Sequence, residues 1–416
     1  MSLFEAVLIV LYFGTLGALS LYGIHRCVIL YLYYRHRARR PVLARLDGDL
    51  PRVTIQLPVY NERYVVERLI DAAAVLDWPR DRLEIQVLDD STDDTTTIAD
   101  RAVREWRGRG LDIVHLRRSD RTGFKAGALA AGLRRASGEF IAIFDADFVP
   151  HPDFLRRVLP GFSSPRVGLV QARWTHLNRG YSLLTRAQAI LLDGHFVIEH
   201  TARHRSGRFF NFNGTAGVWR RTCLDDAGGW EHDTLTEDLD LSYRAQIKGW
   251  RFVYLPDVVV PAELPAEING FKSQQHRWAK GSMQTALKLA PRIARARIGI
   301  PIKIEAAVHL SSNICYPLLL LLSALLMPAL WLRVRVLDPG AAFLFDLTLF
   351  VAASVSIACF YVASQREAER GQWLRRIADL PLVFALGIGL AVNNTRAVLE
   401  ALVGHESEFV RTPKHA

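Results

Sequence analysis

The chain opens on an apolar run, Leu3 to Ile24, broken only by Glu5 near its start. That length is about enough to span a bilayer. A basic cluster, Arg35-His36-Arg37-Ala38-Arg39-Arg40, follows the run, the reverse of the order in a secretory signal peptide. The pair predicts a retained anchor with its N terminus outside and the next domain in the cytoplasm. Tyr31, Tyr33 and Tyr34 suit the interfacial aromatic belt. From about Pro51 to Pro261 short β-branched runs alternate with helical ones, an α/β pattern. Val53–Leu57, Leu83–Leu88 and Phe140–Phe144 are predicted strands, with a helix over 63–76 and another starting near Thr95. They end on Tyr60-Asn61-Glu62, Asp89-Asp90 and Asp145-Ala146-Asp147. Open α/β sheets take their ligands beyond the carboxyl ends of the strands, so this edge is the expected site.

Beyond Pro265 the pattern changes. Residues 270–298 are basic with helical apolar spacing, as in helices lying in a membrane interface. Val308–Leu332 and Ala341–Ala363 are span candidates, the second weakened by Asp346. Leu380–Val392 is short for a span and suits a re-entrant or interfacial segment. The expected division is an anchor over 1–34, a catalytic domain over 50–264, interfacial helices over 265–300, a membrane region over 304–403 and a cytoplasmic tail over 404–416.

Composition sharpens this picture. Half of the 416 residues are hydrophobic, too many for an ordinary soluble enzyme. The net charge of +10 is concentrated beside apolar segments, which favours membrane lipids over nucleic acid as the partner. The four cysteines, at 27, 223, 315 and 359, have neither disulfide-framework nor zinc-ligand spacing.

Several residue groups could carry chemistry. Asp145 and Asp147 can hold Mg²⁺ or Mn²⁺ against diphosphate oxygens, or can simply cap a turn. Asp89 and Asp90 could bind a nucleobase or ribose, or serve with Asp93 and Asp94 only to favour a helix start. Lys125, flanked by Gly123 and Gly127, is a diphosphate partner or a solvated lysine. Thr236 reads as the N-cap of a helix to about Lys248, with Glu237 and Asp238 in its first turn. There Asp238 could serve as a general base, ionised but weak because a helix start lowers an acid's pKa. Gln274, Arg277 and Trp278 share one helix face and offer an amide, a guanidinium and an indole plane. Phe212-Asn213-Gly214-Thr215 lines an acceptor side or makes a turn.

In this order, Asp89-Asp90, Asp145-x-Asp147, Thr236-Glu237-Asp238 and Gln274-x-x-Arg277-Trp278 resemble the D, DxD, TED, QxxRW signature of processive family 2 glycosyltransferases, among them cellulose, hyaluronan and mannan synthases. The resemblance covers roughly residues 50–290 and is nearest to the mannan and glucomannan synthase branch. It implies a GT-A fold, a Rossmann-like mixed sheet flanked by transmembrane and interfacial helices. It implies a nucleotide-sugar donor, UDP-glucose or GDP-mannose, a divalent metal and inverting transfer to a β-1,4-linked polysaccharide. Tyr60, Glu62, Asp89, Asp90, Lys125, Asp145, Gln274 and Arg277 are then donor-binding, and Asp145 and Asp147 hold the metal. Asp238 is the base, and Phe212, Asn213, Gly214, Thr215, Glu237 and Trp278 meet the acceptor. Phe409, Thr412 and Lys414 are in register with the gating loop (FxVTxK) of cellulose synthase. The sequence carries none of the later channel helices of full polymer synthases after that loop, which leaves an oligomer or accessory subunit open. The alternative is a single-transfer enzyme making a glycolipid; a bacterial inner membrane is the expected location.

Overall fold

The structure, a computed structural model, describes residues 2–46, 48–336 and 339–405. Helix α1 (Leu3–His36) is one long rod. Glu5, the only break in its apolar start, completes a capping box with the N-cap Ser2: Glu5 N donates to Ser2 Oγ at 3.2 Å and Ser2 N to Glu5 Oε2 at 2.7 Å.

The α/β region then runs β1 (Val53–Val59), α2 (Val66–Ala74), β2 (Leu83–Asp89), α3 (Thr95–Gly108), β3 (Asp112–Arg117), α4 (Phe124–Arg135), β4 (Phe140–Ile143) and α5 (Phe154–Val158). It continues as β5 (Val167–His176), α6 (Leu183–Asp193), α7 (Thr201–Arg205), β6 (Gly217–Arg220), α8 (Arg221–Asp226), α9 (Glu237–Ile247) and β7 (Arg251–Ala262). One mixed sheet results, in the order β3-β2-β1-β4-β6-β5-β7. Strands β3, β2, β1 and β4 are parallel, β6 runs antiparallel to β4 and β5, and β7 is parallel to β5. Central strands covered on both faces lose the hydrophobic-polar alternation, which is why β2 and β4 are buried throughout. Val53, Ile55 and Leu57 face α2 and α3 in one core, and Ile141, Ile143 and Trp219 face α4 and α9 in another. In register, Val59 pairs with Asp89 and Gln56 with Ile143, so Tyr60, Asp90 and Asp145 leave the sheet side by side.

The remaining helices are α10 (Ile268–Arg295), α11 (Ile300–Ser311), α12 (Cys315–Val336), α13 (Pro339–Phe350), α14 (Ser356–Ala368), α15 (Trp373–Ile377), α16 (Leu380–Gly389) and α17 (Ala391–Leu402). Among the described residues three helices are long and apolar enough to cross a membrane: Leu3–His36, Ile300–Leu332 and Asp346–Ala368. The second begins before the expected Val308, and the third is shifted towards the C terminus of the expected 341–363. Trp373–Gly389 and Ala391–Leu402 form a pair bent by 43°, a broken span or re-entrant loop, in keeping with the short apolar stretch seen there in the sequence. The gating-like Phe409, Thr412 and Lys414 lie outside the described residues.

Largely buried charge ties the long apolar helices to the sheet domain. Glu199, between α6 and α7, pairs with Arg26 of α1 and with Arg203 at 2.9 Å. Arg203 reaches Glu305 of α11 at 2.9 Å, and Glu305 pairs with His25 at 3.0 Å. A Cβ on Gly23 would overlap the backbone of Ala352 and Ala353, so this small residue lets α1 lie directly against its neighbour.

Helix α10 packs against α9, α11 and α17 rather than lying alone in an interface. Its approach to α9 depends on Gly281, where a Cβ would stand 2.6 Å from Thr236 Cγ2 and 2.8 Å from Thr236 N. Gly281→Ala should gain roughly 0.5–1 kcal/mol of helix preference. Overpacking against backbone costs about 1–3 kcal/mol and should win. The variant is expected to unfold at a lower temperature in detergent; an unchanged or higher midpoint would remove this contact from the account.

Candidate active site

The three strand ends, the start of α9 and one face of α10 enclose a cavity of about 490 Å³. Its wall includes Tyr60, Glu62, Asp90, Lys125, Asp145, Asp147, Asn213, Gly214, Glu237, Asp238, Gln274, Arg277 and Trp278. Residues from seven separate stretches of chain thus meet in one place. A second hollow, about 650 Å³, lies behind α4 and shares Leu88, Asp90 and Ala128 with the first. It holds none of the other strand-end acids.

Local backbone geometry aims these side chains. Asn61 sits in the left-handed region at φ 54°. Its N donates to Ser91 Oγ at 2.9 Å and its Oδ1 accepts from Thr92 N at 2.8 Å, locking the β1 and β2 loops together. Gly123 (φ 72°) and Phe124 (φ 47°) turn the chain sharply into α4, which brings Lys125 over the end of β4. Lys125 Nζ donates to Asp145 Oδ1 at 2.5 Å and to Gly214 O at 3.0 Å. Thr215 Oγ1 accepts from Asp145 N at 2.9 Å, and Ser242 of α9 accepts from Phe212 N at 2.8 Å. The 212–215 loop is therefore stitched to both β4 and α9. Gly214 lies between base candidate and lysine: a Cβ there would be 3.2 Å from Asp238 Oδ2 and 3.3 Å from Lys125 Nζ.

Charge is concentrated here. Burial pushes the Asp238 carboxyl up to about 7, with Glu237 adding to the rise and Lys125 opposing it. Glu237 is also raised, chiefly by burial, against the pull of Lys125. Burial alone would lower the pKa of Lys125, but Asp145 and Glu237 overcome it and the net shift is upward. The sequence reading, in which the helix start holds Asp238 low, is corrected on this point. The backbone N–H of Leu239 does favour the ionised form, at 2.8 Å, but desolvation and a neighbouring carboxylate outweigh it. Nor does Thr236 cap α9 with its side chain; Thr236 Oγ1 faces Thr285 Oγ1 at 3.2 Å instead.

Three expected site residues stand away from the cavity wall. Asp89 is buried, accepting from Ser91 N at 2.8 Å and lying 3.0 Å from His115 Nε2. Phe212 is fully buried with its ring edge-on to Trp219, and Thr215 is buried behind Asp145. Other wall residues were not foreseen: Arg26, Arg121, Trp174, His176, His195, Glu199 and His309. Arg26 had a signal, since an ionisable residue within an apolar helix is a site candidate by default. His195 and Glu199 come from a π-helical turn, Gly194–His200, that the pattern of apolar residues does not reveal. Asn213 bridges His195 at 2.8 Å and His200 at 2.6 Å. Burial holds both imidazoles well below their ordinary pKa, so His195 stands in the wall as a neutral polar group with His200 buried behind it.

For a cation, Asp145 and Asp147 offer the hard oxygen donors that suit Mg²⁺ or Mn²⁺, at a strand end open to the cavity. The residues present fit such an ion. The other acidic group, Glu231, Asp233 and Asp240, already surrounds the Lys288 ammonium at 2.6, 2.6 and 3.0 Å and has no need of a metal.

A family model described as "Glycosyltransferase like family 2" matches residues 51–281, more than half of the chain. Glucomannan 4-beta-mannosyltransferase 2 of Arabidopsis thaliana is 46% identical over 254 residues, 60% of this chain and 48% of that one. Probable glucomannan 4-beta-mannosyltransferase 9 of Oryza sativa subsp. japonica is 45% identical over 259 residues, 61% of this chain and 49% of that one. The chain spans about half the length of these curated relatives. Among solved structures, the mannosyltransferase PcManGT from Pyrobaculum calidifontis, in complex with GDP-Man and Mn²⁺, aligns with a TM-score of 0.65 at 23% identity. That alignment covers 97% of this chain and all of the other, and it establishes a shared GT-A fold.

The raised Asp238 pKa has a consequence for stability. The folded state binds this proton more tightly than the unfolded chain, whose carboxyl titrates near 3.8. The stabilisation is full below about 3.8 and is lost as pH rises through about 7. Asp238→Asn removes that titration. Its unfolding midpoint should gain on the wild type between pH 5 and pH 8, measured without ligand; a gap constant with pH would contradict the shift.

Proposed function

Because this chain belongs to glycosyltransferase family 2, we propose that it is a membrane-bound inverting glycosyltransferase that moves mannose from GDP-mannose to a growing β-1,4-linked mannan or glucomannan. One observation carries the reading: Asp238 and the Lys125–Asp145 pair face each other across Gly214 in a single cleft. The relatives named above support mannose, and they carry glucomannan rather than a lipid in their names. That weighs against a glycolipid product.

In this reading the donor diphosphate lies against Lys125 and Arg277, cations that offset its charge in a wall otherwise rich in carboxylates. Asp145 and Asp147 would hold Mn²⁺ or Mg²⁺, which supplies Lewis-acid neutralisation of the departing diphosphate. Trp278 gives the acceptor sugar a flat apolar surface, with Gln274, Asn213 and Glu237 available for its hydroxyls. Asp238 takes the proton of the acceptor hydroxyl as that oxygen bonds to the anomeric carbon. The bond from the anomeric carbon to phosphate breaks on the opposite side, its electron pair leaves with the nucleoside diphosphate, and the configuration inverts. A carboxyl with a pKa near 7 is better matched to this task at neutral pH than an ordinary aspartate. The cavity extends to Arg26, His309 and Tyr361 on the membrane helices, which supports approach of the acceptor from that side. The domain that carries the cleft lies on the cytoplasmic face, where nucleotide sugars are met.

The first test is nucleoside-diphosphate release by the purified chain in detergent, with Mn²⁺ or Mg²⁺. GDP-mannose should outpace UDP-glucose and yield a mannanase-sensitive product; release only on addition of a lipid acceptor would overturn the polysaccharide reading. Asp238→Asn should lower turnover by about 10²–10⁴-fold with donor affinity largely kept. Near-normal turnover would remove Asp238 from the base role. Asp147→Asn should instead weaken donor binding only when metal is present, and an unchanged metal titration would count against Asp147 as a ligand.

A further inference from the structure

Among the described residues of the cleft wall, two arginines serve neither proton transfer nor diphosphate binding: Arg26, which is paired with Glu199, and Arg121. With the diphosphate at Lys125 and Asp145, a nucleoside that runs along the sheet edge passes from β4 over β1 towards β2, the side on which the cavity wall continues. Two strand spacings take it about 10 Å, enough for a ribose, to where Tyr60 and Asp90 stand. Arg121 is there as well. Its guanidinium lies 3.3 Å from the centroid of the Tyr60 ring and 5.0 Å from that of Phe124.

The loop that carries Arg121 is held in place. Arg118 grips both carboxylate oxygens of Asp90, through Nε at 2.9 Å and through Nη2. The same guanidinium donates to Thr122 O at 2.8 Å and Phe124 O at 3.0 Å. Asp90 and residues 118–124 therefore form one unit. The left-handed pair Gly123 and Phe124 ends that loop with Arg121 turned over Tyr60.

Ring, carboxylate and guanidinium together match guanine better than uracil. A carboxylate accepts from N1–H and N2–H₂ of guanine, but equally from N3–H of uracil, so Asp90 suits either base. A guanidinium fork pairs with the O6 and N7 acceptors of guanine, and uracil has no second acceptor in the place of N7. We propose that Arg121 selects guanine over uracil in the donor nucleotide, with Asp90 and Tyr60 completing the base site. This rests on the reading of the cleft as a nucleotide-sugar site and adds the residue that decides which nucleotide enters.

The test is direct binding of GDP, UDP and 7-deaza-GDP, which lacks N7, to the full chain in detergent with Mn²⁺. The wild type should prefer GDP over UDP and should bind 7-deaza-GDP more weakly than GDP. Arg121→Ala and Arg121→Lys should each lower GDP affinity by about ten- to a hundredfold, the worth of one bidentate base contact. UDP affinity should change less than about threefold on the same grounds, which also reports an intact fold. Neither variant should distinguish GDP from 7-deaza-GDP. Equal losses of GDP and UDP, or GDP preference kept without Arg121, would overturn the assignment and leave the donor reading standing. A wild type that binds neither nucleotide, or prefers UDP, would overturn the donor reading and the assignment together.

Discussion

Of the carboxylates in the cleft, Asp145, Glu237 and Asp238 act on the Lys125 ammonium, which is what makes their concentration tolerable. It touches Asp145 and Gly214 O and is felt by both acids of α9. Without a cation at this point, burial and mutual repulsion would drive the acids to their neutral forms. With one, Asp238 is left near the midpoint of its titration rather than far to either side. The remaining architecture serves that meeting. The parallel register sets Asp145 beside Tyr60 and Asp90, the Gly123–Phe124 turn delivers the lysine, and Ser242 and Thr215 hold the intervening loop.

A second constraint is the joint between the long apolar helices and the sheet domain. Arg26, Glu199, Arg203, Glu305 and His25 form a continuous, largely buried network across α1, the segment from α6 to α7, and α11. Breaking a buried pair leaves an uncompensated charge, a far larger penalty than loss of a surface pair. The network therefore fixes where the domain sits on its apolar helices more firmly than apolar contact alone would. The same Arg26 and Glu199 border the cleft, so the anchoring network and the chemical site share a wall.

Much of the site could be read along the chain because its chemistry sits at strand ends and helix starts, where local pattern and function coincide. Asp145, Asp147, Lys125, Glu237, Asp238, Gln274, Arg277 and Trp278 all reach the one cavity. Asp89, Phe212 and Thr215 belong to the same motifs but point elsewhere, because neighbours in a motif need not share a direction. Asp89 ends β2 facing His115, whereas Asp90 turns into the cleft. Phe212 fills the core, whereas its neighbour Asn213 lines the cleft.

By itself the sequence determined the alternating α/β pattern, the first apolar helix, the edge of the sheet that carries chemistry and the acids placed there. These are consequences of periodicity and of local backbone rules, which act over a few residues. Only the tertiary structure decided that the Asp238 pKa rises rather than falls, since desolvation and the approach of Glu237 and Lys125 are through-space effects. It alone decided that Gly281 admits α10 against Thr236 and that a π-helical turn presents His195 and Glu199 to the cleft. It also brought Arg121 over Tyr60, a contact between residues far apart in the chain that depends on how two loops are held against each other.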